Sequence, residues 1–227
     1  MKKLLVFVLV CMLSLPLFAQ ERDKTTSTTA APSPEITALQ TAYSLAKYGY
    51  SNFSASALIG AAEILVKVQT QALGAAADKS QSGATSGAKT ETPEFTPANL
   101  LADARKYANG DSTMIAWADN VQKAMASTAT RGVTTGPKHG IETVAALGSV
   151  SYRLNFTANQ LAQVYVSGDG TTDLDLYVYD QNGNLITYDD DWGDECLVRW
   201  YPKWTGAFTI IVKNLGRVWN RYYITTN

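Results

Sequence analysis

A group of aspartates in the C-terminal part of the sequence is the first candidate for chemistry. Ca²⁺ takes six to eight oxygen ligands, so carboxylates gathered on loops are side chains that it prefers. Like charges at this density also repel one another, and a divalent ion would relieve that repulsion. The pattern predicts a candidate calcium site, with a solvated acidic loop as the alternative. The candidate ligands are Asp173, Asp175, Asp189, Asp190, Asp191 and Asp194.

Asp175 has a second interpretation. It precedes Tyr177 and Tyr179 at a spacing of two, which places the three side chains on one face of a strand. A carboxylate buried on such a face must be hydrogen-bonded. Asp175 is therefore also a candidate structural acceptor for hydroxyl or backbone donors.

Two tryptophans are candidates for ligand binding. Trp192 lies within the acidic loop, and Trp204 lies in a turn between two strands. An aromatic ring exposed at such a position can stack on a sugar ring or anchor a peptide. The alternative is that both rings close the edge of a folded core.

Catalysis is not expected. His139 is the only histidine, and it lies in a segment rich in glycine and proline. A serine or cysteine nucleophile usually needs a positioned base, and a lone histidine of this kind is a poor one. Paired carboxylates can serve a glycosidase as acid and base, but the aspartates crowd one loop. A hydrolase is thus the least favoured function.

The N-terminal sequence is typical of a secretory signal peptide. Lys2 and Lys3 precede an apolar run that ends before Ala19, which predicts a signal peptide over residues 1–19. A lipoprotein anchored at Cys11 is the disfavoured alternative, because the residue before Cys11 is not small. We expect a disordered leader over 20–32, and a secreted, periplasmic or extracellular product with no membrane span after cleavage.

Charge and cysteine content narrow the class of partner. Without Lys2 and Lys3, the 19 basic residues fall to 17 against 20 acidic ones, a net charge of −3. This balance disfavours nucleic acid, whose protein partners are usually basic. Cys196 would be the only cysteine left, so no internal disulfide is expected, and we interpret it as a small buried residue.

The segment 33–130 has the periodicity of helices. Ser33-Pro34-Glu35 is typical of a helix start, and apolar residues then recur at steps of three and four. Four such stripes predict two helical hairpins that face each other as a small bundle. Residues 74–92 lack any apolar period and are predicted to be a flexible linker.

After a predicted linker over 131–140, the apolar period changes to two. Seven or eight short strands are expected over 141–227, with Asn182-Gly183 as a hairpin turn. The predicted fold class is therefore α+β and multidomain. A small all-α helical bundle is followed by an antiparallel, jelly-roll-like β-sandwich.

Several motifs along the strands occur together in order: Gly168-Asp169-Gly170, then 173–180 (Asp-Leu-Asp-Leu-Tyr-Val-Tyr-Asp), and later Thr205-Gly206-Ala207-Phe208 and 220–223 (Asn-Arg-Tyr-Tyr). This stretch resembles the bacterial pre-peptidase C-terminal domain, a β-sandwich attached to secreted enzymes. The resemblance implies an accessory module of exported proteins, and some relatives bind calcium and matrix protein. Since no peptidase motif stands upstream, protease activity does not carry over.

Two functions remain in competition. The first is a secreted, non-catalytic binding or structural module of the bacterial envelope or exterior, with an unidentified protein or polysaccharide as partner. The second is a secretion or stability accessory that binds no ligand. Calcium is the one cofactor that the sequence suggests.

Overall fold

The computed structural model describes residues 28–74, 79–84, 91–129 and 136–227. Four helices precede two β-sheets that stack as a sandwich, which confirms the predicted α+β fold class. The predicted signal peptide, the alternative anchor Cys11 and residues 20–27 lie outside the described residues.

Each helix begins at a side chain that accepts a hydrogen bond from a backbone N–H group of the first turn. The four capping residues are Ser33, Ser54, Thr96 and Asp111. Such caps satisfy donors that a helix start leaves free. The helices are α1 (Pro34–Ser51), α2 (Ala55–Lys67), α3 (Pro97–Tyr107) and α4 (Ser112–Ala129).

In the part of the chain that the structure describes, ten strands form two five-stranded sheets. They are β1 (Gln71–Ala72), β2 (Ser80–Ala84), β3 (Lys138–Val144), β4 (Ala146–Phe156), β5 (Ala162–Gly168), β6 (Leu174–Tyr179), β7 (Leu185–Asp189), β8 (Glu195–Trp200), β9 (Gly206–Asn214) and β10 (Asn220–Thr226). The first sheet has the order β1-β3-β10-β5-β8, and the second has the order β2-β4-β9-β6-β7. β1 runs parallel to β3, and the other pairings are antiparallel. Strands β3 to β10 thus form two four-stranded layers in the order of a jelly roll.

The predicted hairpin turn joins β6 and β7. Gly183 adopts a positive φ of 80°, which glycine tolerates and which explains the Asn182-Gly183 pair. Asp180 is buried and fixes this turn, because its carboxylate accepts hydrogen bonds from the N–H groups of Asn182 and Asn184, both at 2.8 Å.

The helices lie on the outer face of the first sheet. Tyr43 of α1 is buried against Tyr165 of β5 and Tyr223 of β10, and its ring centroid is 4.6 Å from that of Tyr223. Phe95, just before α3, stacks on the same Tyr223 ring at 5.4 Å. The helices and the sheet therefore share one hydrophobic core, in addition to the core between the sheets.

The segment between α2 and α3 differs from the predicted flexible linker over 74–92. Within the range 74–92, β2 pairs at the edge of the second sheet, and β1, which precedes that range, pairs at the edge of the first. Residues 75–78 and 85–90 lie outside the described residues. The segment therefore covers one edge strand of each sheet. Exposed edge strands can pair with other chains, so this covering limits such pairing.

Two other predicted boundaries also need correction. The linker expected over 131–140 is too long, since β3 begins at Lys138 and includes His139. The disorder expected over 20–32 does not hold at its end, where the Thr28 N–H donates to the Arg199 carbonyl oxygen at 3.2 Å. The Arg199 guanidinium in turn donates to the Ala30 carbonyl oxygen, so residues 28–30 lie along β8.

Candidate functional site

The candidate site lies at one end of the sandwich, where four connections between strands meet. We call this end the apex and define it as residues 145–149, 169–173, 189–195 and 215–219. It contains five of the six aspartates that the sequence analysis selected, and Asp175 follows directly in β6. Their gathering at one end of the sandwich follows from the alternation of strand directions in the jelly roll.

Backbone hydrogen bonds hold the apex connections together. The Leu147 N–H donates to the Gly216 carbonyl oxygen at 2.9 Å, and the Leu215 N–H donates to the Asp173 carbonyl oxygen at 3.0 Å. The Gly193 N–H donates to the Asp173 carboxylate at 2.8 Å. All four connections are thereby tied into one surface.

The aspartates share this end, but they do not form an ion cage. Within residues 28–74, 79–84, 91–129 and 136–227, no three carboxylate, thiol or imidazole side chains form a group able to hold a metal ion. The Asp189 carboxylate accepts from the Leu197 N–H at 2.8 Å and from the Asp191 N–H at 3.4 Å. Asp190 and Asp191 are exposed. The arrangement does not fit the predicted calcium site.

Asp194 is bound by the protein itself. Its carboxylate accepts hydrogen bonds from the Lys47 ammonium group at 3.0 Å and from the Gly170 N–H. Lys47 also contacts Glu195 at 3.1 Å. Lys47 belongs to α1, so this ion pair connects the helices to the acidic loop. Nothing in the sequence pattern of α1 pointed to this contact.

Asp175 serves as a structural acceptor. It lies on the outer face of the second sheet, opposite Lys213 of β9, and is 3% exposed. The Tyr177 hydroxyl donates to its carboxylate at 2.9 Å, as the alternative interpretation of this residue predicted. Burial raises the pKa of the Asp175 carboxyl. Burial of the Tyr177 hydroxyl, together with its hydrogen bond to Asp175, raises the pKa of Tyr177 to about 12.

A cleft of about 530 Å³ opens at the apex. Trp192 lies on its wall and is 92% exposed, the largest exposed fraction among the large apolar side chains that the structure describes. The carbonyl and N–H groups of the next residue, Gly193, are both hydrogen-bonded, so the loop that carries the indole is anchored. Polar and apolar side chains share the lining, which includes Thr172, Asp173, Leu215, Arg217 and Val218.

Trp204 does not belong to this site. It lies between β8 and β9, at the opposite end of the sandwich from the apex. Its ring stacks on Phe208 with centroids 5.7 Å apart and packs against the core between the sheets. The predicted ligand-binding role of Trp204 is therefore replaced by the alternative, a ring that closes the core.

Sequence reasoning missed two apex residues. Leu147 is 70% exposed and Leu215 is 41% exposed. Each leucine directly precedes a glycine: Leu147 and Gly148 lie at the start of β4, and Leu215 and Gly216 lie between β9 and β10. A leucine next to a glycine at a turn was the available signal that the side chain leaves the core.

His139 and Cys196 both make contacts within the fold. The His139 ring contacts the Thr225 hydroxyl at 2.9 Å and the Tyr43 hydroxyl at 3.4 Å, between the helices and the first sheet. Burial lowers the pKa of His139 to about 4. The Cys196 thiol is buried in the core between the sheets, donates to the Leu174 carbonyl oxygen at 3.0 Å and has a raised pKa because of that burial.

Comparison with protein families gave no match, and no curated protein matches the chain. Solved structures do match, over about two fifths of the chain. The chain is similar to a periplasmic inhibitor of g-type lysozyme from Aeromonas hydrophila, with 11% identity over 43% of this chain and 90% of that one, at a TM-score of 0.34.

A second similar structure is the pre-peptidase C-terminal domain of a collagenase from Bacillus anthracis, with 11% identity over 39% of this chain and 89% of that one, at a TM-score of 0.31. A third is a mitogen from Yersinia pseudotuberculosis, with 13% identity over 40% and 85% of the two chains and the same TM-score. Likeness at this level carries no argument about activity or ligand.

None of the helices in the described residues is both long enough and apolar enough to cross a membrane.

Proposed function

We propose that this protein is a non-catalytic binding module that acts outside the cytoplasm and holds a macromolecular partner at the apex. One observation carries the proposal: Trp192 is 92% exposed on an anchored loop beside a cleft. Leaving a large aromatic surface in water forgoes the stabilisation that burial would give. Tryptophan is also among the residues that contribute most to binding when a partner covers it.

The positions of the reactive side chains support a role without catalysis. The only histidine contacts Tyr43 and Thr225 within the fold, and Cys196 is buried in the core. Neither residue lies on the cleft wall. Export is the part of the proposal that depends on the signal-like residues 1–19, and N-terminal sequencing of the exported protein tests it.

Site-specific photo-cross-linking tests the proposed site. A photoreactive phenylalanine analogue replaces Trp192 in one variant of the full chain and Tyr201 in a matched control. Tyr201 is 44% exposed and lies at the opposite end of the sandwich, where the Asn159 N–H donates to the Pro202 carbonyl oxygen. Each variant is irradiated with the envelope and medium of the producing cells.

We expect a discrete cross-linked species from position 192 and none of the same mass from position 201. Equal labelling at both positions, or no adduct at position 192, contradicts the proposed site. Thermal unfolding of each variant shows that the substitution leaves the fold intact.

A further inference from the structure

The apex displays three exposed apolar side chains, two of which share the cleft. Trp192 and Leu215 come from two different connections and Leu147 from the start of β4, and they are 92%, 41% and 70% exposed, respectively. Trp192 and Leu215 line the same cleft, and the Leu147 N–H bonds to Gly216, next to Leu215. Exposed apolar residues that occur singly are normal, but Trp192 and Leu215 line one cleft, and apolar side chains that share a surface mark an interaction site.

The backbone holds one of these side chains outward at a cost. Leu147 has a φ of +50°, in the left-handed region that a leucine rarely adopts. A glycine at this position would remove the steric cost and the exposed apolar surface together. Since stability favours glycine on both counts, the leucine side chain is the feature that needs a functional reason.

The charged residues of the apex are mostly acidic. The four stretches that form the apex contain seven acidic residues, of which Asp169 is buried, and one basic residue, Arg217. Asp190 and Asp191, both exposed, directly precede Trp192. Lys47 compensates only Asp194 and Glu195. The apex therefore combines an apolar centre with an acidic rim.

We propose that the apex binds a protein partner through a cationic surface that surrounds an apolar pocket. The inference rests on the proposed function and names the class of partner. Opposite charges across an interface speed association and select partners, while aromatic and aliphatic anchors supply most of the affinity. The same acidic rim repels the anionic surface of a lipid bilayer. Leu215, which lines the cleft with the indole, offers no hydrogen bond to the hydroxyl groups of a glycan.

Binding measurements with probes of defined charge test this inference. The immobilised full chain is exposed to a peptide of alternating lysine and leucine, to the same peptide with glutamate in place of lysine, to vesicles of phosphatidylcholine and phosphatidylglycerol, and to dextran. The variants are W192A, the pair D190N/D191N, and the control pair E35Q/D119N. Glu35 and Asp119 are also exposed acids, but they lie on α1 and α4, outside the apex.

The lysine peptide is expected to bind, and the glutamate peptide, the vesicles and dextran are not. W192A should weaken binding by about thirtyfold, the effect of truncating a central aromatic anchor. D190N/D191N should weaken it by about tenfold at low salt, and this loss should shrink as salt screens the charges. The control pair should match the wild type.

Two results would overturn the inference. The first is that the wild type binds vesicles or dextran, that W192A abolishes this binding, and that D190N/D191N leaves it unchanged. The proposed function would then stand, but the proposed class of partner would be wrong. The other is lysine-peptide binding that the control pair weakens as much as D190N/D191N does, which would show attraction to charge anywhere on the surface. Loss of the position-192 adduct in the cross-linking experiment instead contradicts the proposed function itself.

Discussion

The contact between the helices and the first sheet makes a strong prediction about stability. Tyr43 of α1 is 1% exposed, and it stacks on Tyr223 and Tyr165 of the sheet. Replacing a buried large aromatic residue by alanine typically costs about 3–5 kcal/mol. Stacked aromatic pairs add about 0.5–1.5 kcal/mol beyond the area that they bury. We expect Tyr43→Ala to lower the free energy of unfolding by about 4 kcal/mol.

Tyr48→Ala is the matched control in the same helix. Tyr48 is 57% exposed, so its truncation should change the free energy of unfolding by no more than about 0.5 kcal/mol. Denaturant unfolding is followed by circular dichroism for the helices and by near-ultraviolet signals for the sandwich. If the two layers share a core, both probes should report one transition, and Tyr43→Ala should shift both.

The reasoning fails if the helices and the sandwich unfold in separate transitions and Tyr43→Ala shifts only the helical one. It also fails if Tyr43→Ala and Tyr48→Ala have equal effects. Tyr43→Phe keeps the ring and removes only the hydroxyl contact to His139, so it should cost far less than the alanine variant. This second variant separates the loss of packing from the loss of the polar contact.

Three further predictions concern pH, metal and backbone strain. Because burial lowers the pKa of His139 to about 4, the unfolded chain takes up a proton below about pH 6.5 while the folded chain does not. Stability should therefore fall as the pH drops from about 6.5 to about 4, by up to about 3 kcal/mol. In His139→Gln, the free energy of unfolding, taken from denaturation curves at several pH values, should depend less on pH over this range. Millimolar Ca²⁺ should leave the melting temperature unchanged, because the described aspartates form no metal-holding group; a saturable rise that Asp173→Ala removes would restore the calcium site. Leu147→Gly should raise the free energy of unfolding by about 1 kcal/mol by relieving a φ of +50°, and a clear loss of stability in denaturation would contradict this account.

Features of the fold that depend on neighbouring residues, such as helix caps, turns and apolar periodicity, could be predicted from the sequence. Ser33 was correctly identified as a helix start from residue type, and Asn182-Gly183 correctly marked the hairpin. The alternation of apolar residues also predicted a sandwich, because side chains along a strand point to opposite faces.

Local sequence patterns did not predict pairing between strands that are distant in the sequence. β2 (Ser80–Ala84) contains serine, glutamine, glycine and alanine, so its sequence shows no strand period, and only pairing with β4 makes it a strand. His139 was placed in a linker because glycine and proline surround it, although it pairs with Thr225 in the sheet.

The candidate site was predicted in part. The aspartates that the sequence analysis selected lie at one end of the sandwich, and Trp192, selected as a candidate exposed ring, is 92% exposed. The hydrogen-bond partners of the carboxylates could not be predicted. Lys47, in a helix distant in sequence, donates to Asp194, and the Gly193 N–H group donates to Asp173. Sequence spacing carries no information on such contacts.

The central claim is that the apex, through Trp192, binds the partner. The most direct measurement is the affinity of the wild-type chain, Trp192→Ala and Tyr201→Ala for the species that cross-links at position 192. The account predicts a loss of about thirtyfold for Trp192→Ala, typical of a central anchor, and an unchanged affinity for Tyr201→Ala. Unchanged affinity for Trp192→Ala, with the fold intact, would contradict it.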